Sequence, residues 1–311
     1  MSREAAAMTT GGHVIDTTED GAAGSRETEG VPRVVRTLLQ SRTALFGLVL
    51  SVLLVVAAVF APWIAPYRPD EIHPIDSLMA PSARYWLGTD DLGRDILSRI
   101  IFGARVSLMV GTIAIGIAAV AGVSLGLAAG FLGGRIDGLI MRVMDALLAF
   151  PAILLAIALM AVLGPSLENA MIAIGIISIP TFARITRANV LSLREKEFVE
   201  AARALGCGGC YLASVVILPN CLSPIIVQAS LGVGNAILVE AALSFLGLGV
   251  QPPEPSWGSM LAFGRSLLGQ APWYATFSGL SIFVTVLALN FLGDGLREAL
   301  DPRLRSVERG A

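Results

Sequence analysis

Seven stretches of this chain contain no Asp, Glu, Lys or Arg: residues 43–67, 106–134, 146–167, 169–183, 204–239, 241–253 and 266–293. A helix needs about 20 mostly apolar residues to cross about 30 Å of hydrocarbon, where lipid offers a peptide group no hydrogen-bond partner. Four stretches meet that length directly: 43–67, 106–134, 146–167 and 266–293. The stretch 169–183 is shorter, and a helix there runs on to about Asn189 with Arg184 and Arg187 at the water interface. The stretch 204–239 holds Pro219 and Pro224, which places a helix from about Pro224 to Leu246 and leaves 204–221 outside the bilayer. The expectation is an all-α membrane protein with six transmembrane helices. Composition agrees, with 55% hydrophobic and 15% charged residues, where a soluble domain has about 45–50% and 25%.

Charge sets the expected orientation. With both termini in the cytoplasm, fourteen basic residues from Arg33 onward fall on inside segments, and six (Arg68, Arg84, Arg94, Arg99, Arg105 and Arg265) fall outside. The positive-inside rule favours that topology. Residues 1–34 are polar and Gly- and Thr-rich, and read as a disordered cytoplasmic tail before a membrane domain spanning 35–305; residues 306–311 read as a short C-terminal tail. Acids are mixed into the N-terminal segment and the first apolar run is too long for a signal core, so the first helix is expected to stay as an anchor.

The side chains narrow the chemistry. The net charge of −2 argues against a nucleic-acid surface. His13 and His73 are the only histidines, too few for most metal or triad chemistry, and no catalytic or metal-ligating set is expected. A phosphate-binding Walker A loop needs Gly-Lys-Ser/Thr. The one lysine, Lys196, stands between Glu195 and Glu197, so this chain does not bind ATP that way. Cys207 and Cys210 form a C-x-x-C with no second pair and no nearby histidine, and with Cys221 they read as unpaired thiols.

Two segments carry packing signals. Ala114, Ala118, Gly122, Gly126, Gly130 and Gly134 recur every fourth residue, laying a smooth groove along one helix face. Such a groove lets another backbone approach closely, either within this chain or at a moving subunit interface. In the outer loop 66–105, Ile96, Leu97, Ile100 and Ile101 share one helical face, with Asp95 and Arg99 four apart on another. That pattern predicts an interfacial helix lying on the outer membrane surface.

The segment 190–221, between the fourth and fifth predicted spans, is the most informative. It reads Glu200-Ala201-Ala202, three residues, Gly206, nine residues, then Val216-Ile217-Leu218-Pro219. It predicts a charged helix, a glycine break, a second helical piece and a proline stop. Phe198, Ala201, Ala202 and Leu205 put apolar surface beside Arg194, Lys196, Glu197, Glu200 and Arg203, the composition of a docking element or of a helix resting on lipid.

That pattern resembles the EAA motif of ABC importer permeases at Glu200, Ala201, Ala202, Gly206, Leu218 and Pro219, with Val216 where the family favours isoleucine. Leu87-Gly88-Thr89-Asp90-Asp91-Leu92-Gly93-Arg94-Asp95 and Phe245-Leu246-Gly247-Leu248-Gly249-Val250-Gln251-Pro252-Pro253, continuing as Pro255-Ser256-Trp257-Gly258, resemble signatures of the dipeptide and oligopeptide permease family, C-type subunit. The resemblance implies a type I ABC importer permease fold in a bacterial cell membrane. It implies as partners a second homologous permease (a heterodimer), two ATPase subunits that bind ATP and Mg, an extracytoplasmic peptide-binding protein, and membrane lipid.

The resemblance further implies a coupling helix around Glu200–Tyr211, turned by Gly206. Glu240, with Asn235 and Gln228 on the same predicted span, becomes a candidate for the peptide path, and Trp257 for an outer gate. The other reading of Glu240 is an interhelical hydrogen bond that fixes packing. Dipeptides and oligopeptides are the first substrate reading; a nickel chelate or haem, or an ion-coupled secondary transporter, are the alternatives.

Overall fold

In this computed structural model the described residues are Leu39 and 41–300; the tails 1–34 and 306–311 lie outside them. The elements run α1 (Arg42–Val59), α2 (Ala61–Ile64), a 3₁₀ turn (Pro74–Asp76), α3 (Ile96–Leu132), α4 (Gly134–Leu148), α5 (Ala152–Leu163), α6 (Leu167–Leu193) and α7 (Glu197–Ala204). They continue as α8 (Gly209–Tyr211), a π stretch (Leu212–Ile217), a 3₁₀ turn (Leu218–Cys221), α9 (Leu222–Phe245), α10 (Trp257–Ser266) and α11 (Pro272–Leu300). The described residues form no β-strand, only an isolated bridge between Thr89 and Asp95. Five helices are long and apolar enough to cross a membrane, six if the bent pair α4–α5 is one span.

The small-residue stripe sets the centre of the bundle. A Cβ on Gly122 would stand 2.5 Å from the Phe182 Cβ, one on Gly130 would stand 2.8 Å from the Val190 Cβ, and one on Gly126 would meet the Ala183 carbonyl. The groove is therefore filled by α6 of the same chain, with Ala114 and Ala118 fully buried above it. Gly134 is the exception. α3 ends at Leu132, Gly133 and Gly134 both take positive φ, and a Cβ on Gly134 would meet nothing. It marks the break between helices and takes no part in the packing. Gly126→Leu is expected to destabilise the bundle by at least about 1–3 kcal/mol, because the site has no room and its neighbour is backbone. A detergent melting curve unchanged from wild type would contradict that reading of the α3–α6 contact.

Three expected segments fold differently. The uncharged stretch 146–167 is not one continuous helix. α5 has 12 residues, about 18 Å of helix, and α4 meets it at 91°. Absence of charge does not guarantee helical continuity. Pro151 cannot donate a hydrogen bond and disfavours helix in the residue before it. α4 is instead an amphipathic arm, tied to α6 by Arg187 Nη2 to Asp137 at 2.6 Å and Arg184 Nη2 to Asp145 at 2.6 Å.

The residues 96–101 do not form a separate surface helix. They are the first turns of α3, whose 37 residues make it longer than the apolar stretch suggested. Asp95 caps that helix, its Oδ2 accepting from the Ser98 amide at 2.8 Å and the Ser98 hydroxyl at 2.6 Å. Arg99 turns away from Asp95, donating to the Pro69 carbonyl at 2.9 Å and standing 3.7 Å from Asp90. Charges at the head of α3 broke the apolar run in the sequence, although Asp95 and Arg99 are buried there and only Arg105 is exposed.

The fifth predicted span does not begin after Pro219, and the helical segment that holds it runs through the proline. Gly209–Phe245 is one continuous helical segment of 37 residues. Proline removes one backbone donor and its ring crowds the carbonyl four residues back. The wider π turn over Leu212–Ile217 accommodates both immediately before Pro219.

The outer loop folds around Asp90, which is fully buried. Its Oδ1 accepts from the Leu92 and Arg94 amides, each at 2.9 Å, and its Oδ2 accepts from Arg94 Nε at 2.6 Å. A second knot joins it: Tyr85 Oη donates to Asp76 at 2.8 Å, and Arg84 stands 3.1 Å from the same carboxylate. Burial, helped by that bond, pushes the Tyr85 hydroxyl up to about 12, so it remains a donor. The Leu87–Asp95 signature is thus the part of the loop that ties it to the head of α3.

Candidate functional site: the coupling turn

The segment after α6 is built as a turn on a rigid stem. Arg194 Nη1 donates to the Gly130 carbonyl at 3.2 Å, fixing the end of α6 to the end of α3. α7 follows, with Glu197 and Glu200 in its first turn and Arg203 in its last, each matched to the helix dipole. α7 ends in a Schellman arrangement: the Gly206 amide donates to the Arg203 carbonyl at 3.0 Å, and the Cys207 amide to the Ala202 carbonyl at 3.2 Å. Gly206 has φ +83°, the left-handed conformation that only glycine adopts freely. A Cβ there would meet none of the described residues.

The apolar residues of the turn divide into two groups. Val199 is fully buried and Ala202 half-buried, and both belong to the core cluster that includes Val190, Leu193, Phe131 and Leu212. Phe198, Ala201 and Leu205 point outward, Leu205 with 86% of its surface exposed. Tyr211 extends this exposed face beyond the glycine. The sequence pattern had grouped Ala202 with the outward residues and missed Val199; the three-residue spacing of Val199 and Ala202 was the available signal.

The motif residues do not form one patch. Glu200, Ala201 and Gly206 lie exposed on the turn, Ala202 seats it, and Leu218 and Pro219 stand further along the helical segment that begins at Gly209. That segment gives the exposed turn a mechanical continuation into α9.

The candidate path residues also separate. Glu240 is fully buried, its Oε1 accepting from Ser244 Oγ at 2.7 Å and Ser256 Oγ at 2.9 Å. Trp257 is 1% exposed and its Nε1 donates to the Ile100 carbonyl at 2.9 Å. These two pin α10 and the loop before it against α9 and α3, and both are buried. Asn235 is exposed on α9. Gln228 lines a cavity of about 590 Å³ between α6, α9 and α11, at the end of the bundle that carries the coupling turn. Asp294 and Arg297, three residues apart on α11, do not approach within 4.0 Å.

Comparison with known proteins gives a consistent result. The family described as binding-protein-dependent transport system inner membrane component matches residues 122–306, and the N-terminal TM domain of oligopeptide transport permease C matches residues 33–81. The permease protein of a dipeptide transport system from Alkalihalophilus pseudofirmus is 51% identical over 271 residues, covering 87% of this chain and 89% of that protein. A di/tripeptide transport system permease protein from Pseudomonas aeruginosa is 49% identical over 278 residues, covering 88% and 92%. A glutathione transport system permease protein from Escherichia coli is 47% identical over 271 residues, covering 87% and 89%. Among solved structures, a chain of the methionine ABC transporter MetNI in an inward-facing conformation shares the fold, with a TM-score of 0.56 at 16% identity, covering 66% of this chain and 98% of that one. The chain belongs to the family of binding-protein-dependent transport system inner membrane components.

Proposed function

We infer that this chain is the membrane-spanning permease subunit of an ATP-driven importer for dipeptides or oligopeptides in a bacterial inner membrane. The carrying observation is the exposed stripe of Phe198, Ala201 and Leu205, which ends at a left-handed Gly206. It is an apolar surface that none of the described residues covers, in the segment that matches the coupling motif. Relatives named for dipeptide transport, 42–51% identical, support the substrate class. The glutathione relative is compatible with it, glutathione being a short peptide.

On this reading two ATPase subunits dock on the turn and supply all ATP and Mg chemistry, while this chain is non-catalytic. A second homologous permease forms the other half of the path, and an extracytoplasmic binding protein delivers the peptide. Both termini lie in the cytoplasm. ATP binding closes the ATPase pair and moves α7 to α8 as a body. The continuous helix from Gly209 to Phe245 carries that movement into the bundle, shifting it between inward-open and outward-open states.

Purification of the native complex in mild detergent, with mass spectrometry of its components, tests the assembly. A second permease and Walker-type ATPases are expected. A stable homo-oligomer without any ATPase, taking up peptide on a proton gradient alone, would replace this reading with that of a secondary transporter.

A further inference from the structure

The cavity beside Gln228 has a lining chemistry that singles out its ligand. It holds about 590 Å³, within the roughly 300–1,000 Å³ of small-molecule sites. Its walls come from the C-terminal half of α6, the segment around Asn220 and the start of α9, and the end of α11. They carry three side-chain amides (Asn189, Asn220 and Gln228), the Ser223 hydroxyl and a single charge, Arg297. Among the described residues no acid lines the cavity; Asp294 and Glu298 lie on α11 outside it. Asn189 Nδ2 donates to the Ile185 carbonyl at 2.8 Å and Asn220 Nδ2 to the Val216 carbonyl at 2.7 Å, so both amide oxygens remain as acceptors.

A peptide with a free carboxylate needs one cation and, along its backbone, paired donors and acceptors, which is this inventory. An anionic lipid headgroup is favoured by clusters of about 4–8 Lys and Arg, and among the described residues the lining holds one. We propose that this cavity binds the transported peptide at the coupling end of the bundle, with Arg297 taking its C-terminal carboxylate and the Asn189, Asn220 and Gln228 amides its peptide groups. The inference rests on the importer reading above. Asn220 directly follows Leu218 and Pro219 of the coupling motif, on the helical segment that starts at the docking turn. Movement of that turn therefore shifts one wall of the cavity, and loading and release of the peptide follow the ATPase cycle.

The test uses the whole complex in nucleotide-free proteoliposomes. Ser223→Cys, in a Cys207→Ser, Cys210→Ser background, reports occupancy through its rate of alkylation by N-ethylmaleimide. Alanyl-alanine should slow alkylation, while its C-terminal amide should bind about tenfold more weakly, the size of one charge-assisted hydrogen bond. Arg297→Gln should remove the difference between acid and amide, and Arg297→Lys should restore part of it. Equal protection by acid and amide in wild type, or no protection by either at saturating concentration, overturns the proposal. So does protection that disappears in vesicles of purely zwitterionic lipid, which would assign Arg297 to a headgroup. ATP-driven uptake of alanyl-alanine, measured in the same vesicles with the binding protein added, tests the importer reading separately. Its absence would sink that reading, whereas uptake without selective protection sinks only the cavity assignment.

Discussion

Gly206→Trp in the assembled transporter is expected to abolish ATP-driven uptake while the permease still folds. Two effects combine. A non-glycine residue in the left-handed region costs about 1–2 kcal/mol, a factor of roughly 5–30 in the population of the native turn. The indole would then stand on the exposed side of the turn, where it meets nothing of this chain but would occupy the space of the docked subunit. Gly206→Ala separates the contributions, since alanine carries the backbone strain with little bulk. Uptake in the alanine variant should fall partway and in the tryptophan variant to background. Both should melt within a few degrees of wild type in detergent, because no contact inside the bundle is lost. ATP hydrolysis that continues without uptake would show the two activities uncoupled. Undiminished uptake in Gly206→Trp would mean that this turn does not transmit the ATPase movement.

The largest loss of stability is expected at Asp90. Its carboxylate is fully buried against Arg94 and lies 3.7 Å from Arg99, and both arginines are themselves nearly buried. Asp90→Ala removes the counter-charge and leaves the guanidinium groups in a dry site, a loss of about 3–5 kcal/mol for a broken buried pair. It also leaves the Leu92 and Arg94 amides without their acceptor. Asp90→Asn keeps one acceptor oxygen and should lose less. Expression level and melting temperature in detergent should therefore rank wild type above asparagine above alanine. An alanine variant as stable as wild type would show that the loop is held by its other contacts, such as Tyr85 to Asp76.

The two variants probe opposite ends of the molecule, and their sites were unequally legible in the sequence. The coupling turn could be read because it is local: a charged helix, a glycine and a second helical piece are all defined by neighbours within a few residues. Even its Schellman end follows from one glycine at the right place. The Asp90 knot was visible as a pattern without a reason. Its charged partners are Arg94 and Arg99, with a second knot of Tyr85 on Asp76 beside it, and no spacing rule says that such a charged loop buries its charges upon itself.

Glu240 shows the same limit. An acid in an apolar run announces itself, but whether it faces a cavity or a neighbouring helix depends on where Ser256 arrives, sixteen residues later. Pro219 and the 146–167 stretch err in opposite directions. The proline suggested a stop where a π turn continues the helix, and the uncharged run suggested continuity where the helix bends.

The sequence by itself determined that the chain is helical, membrane-spanning and built around a small-residue groove. Those properties depend on counts and periods along the chain: length without charge, and a glycine or alanine every fourth residue. It also located the helix and glycine break of the candidate coupling turn. Only the tertiary structure decided which helix fills the groove, which apolar residues of α7 face inward, how the outer loop closes on Asp90, and that Asn189, Gln228 and Arg297 share one cavity. The physical reason is that burial and charge pairing are set by residues far apart in the chain, and a period along one helix names a face without naming what packs against it.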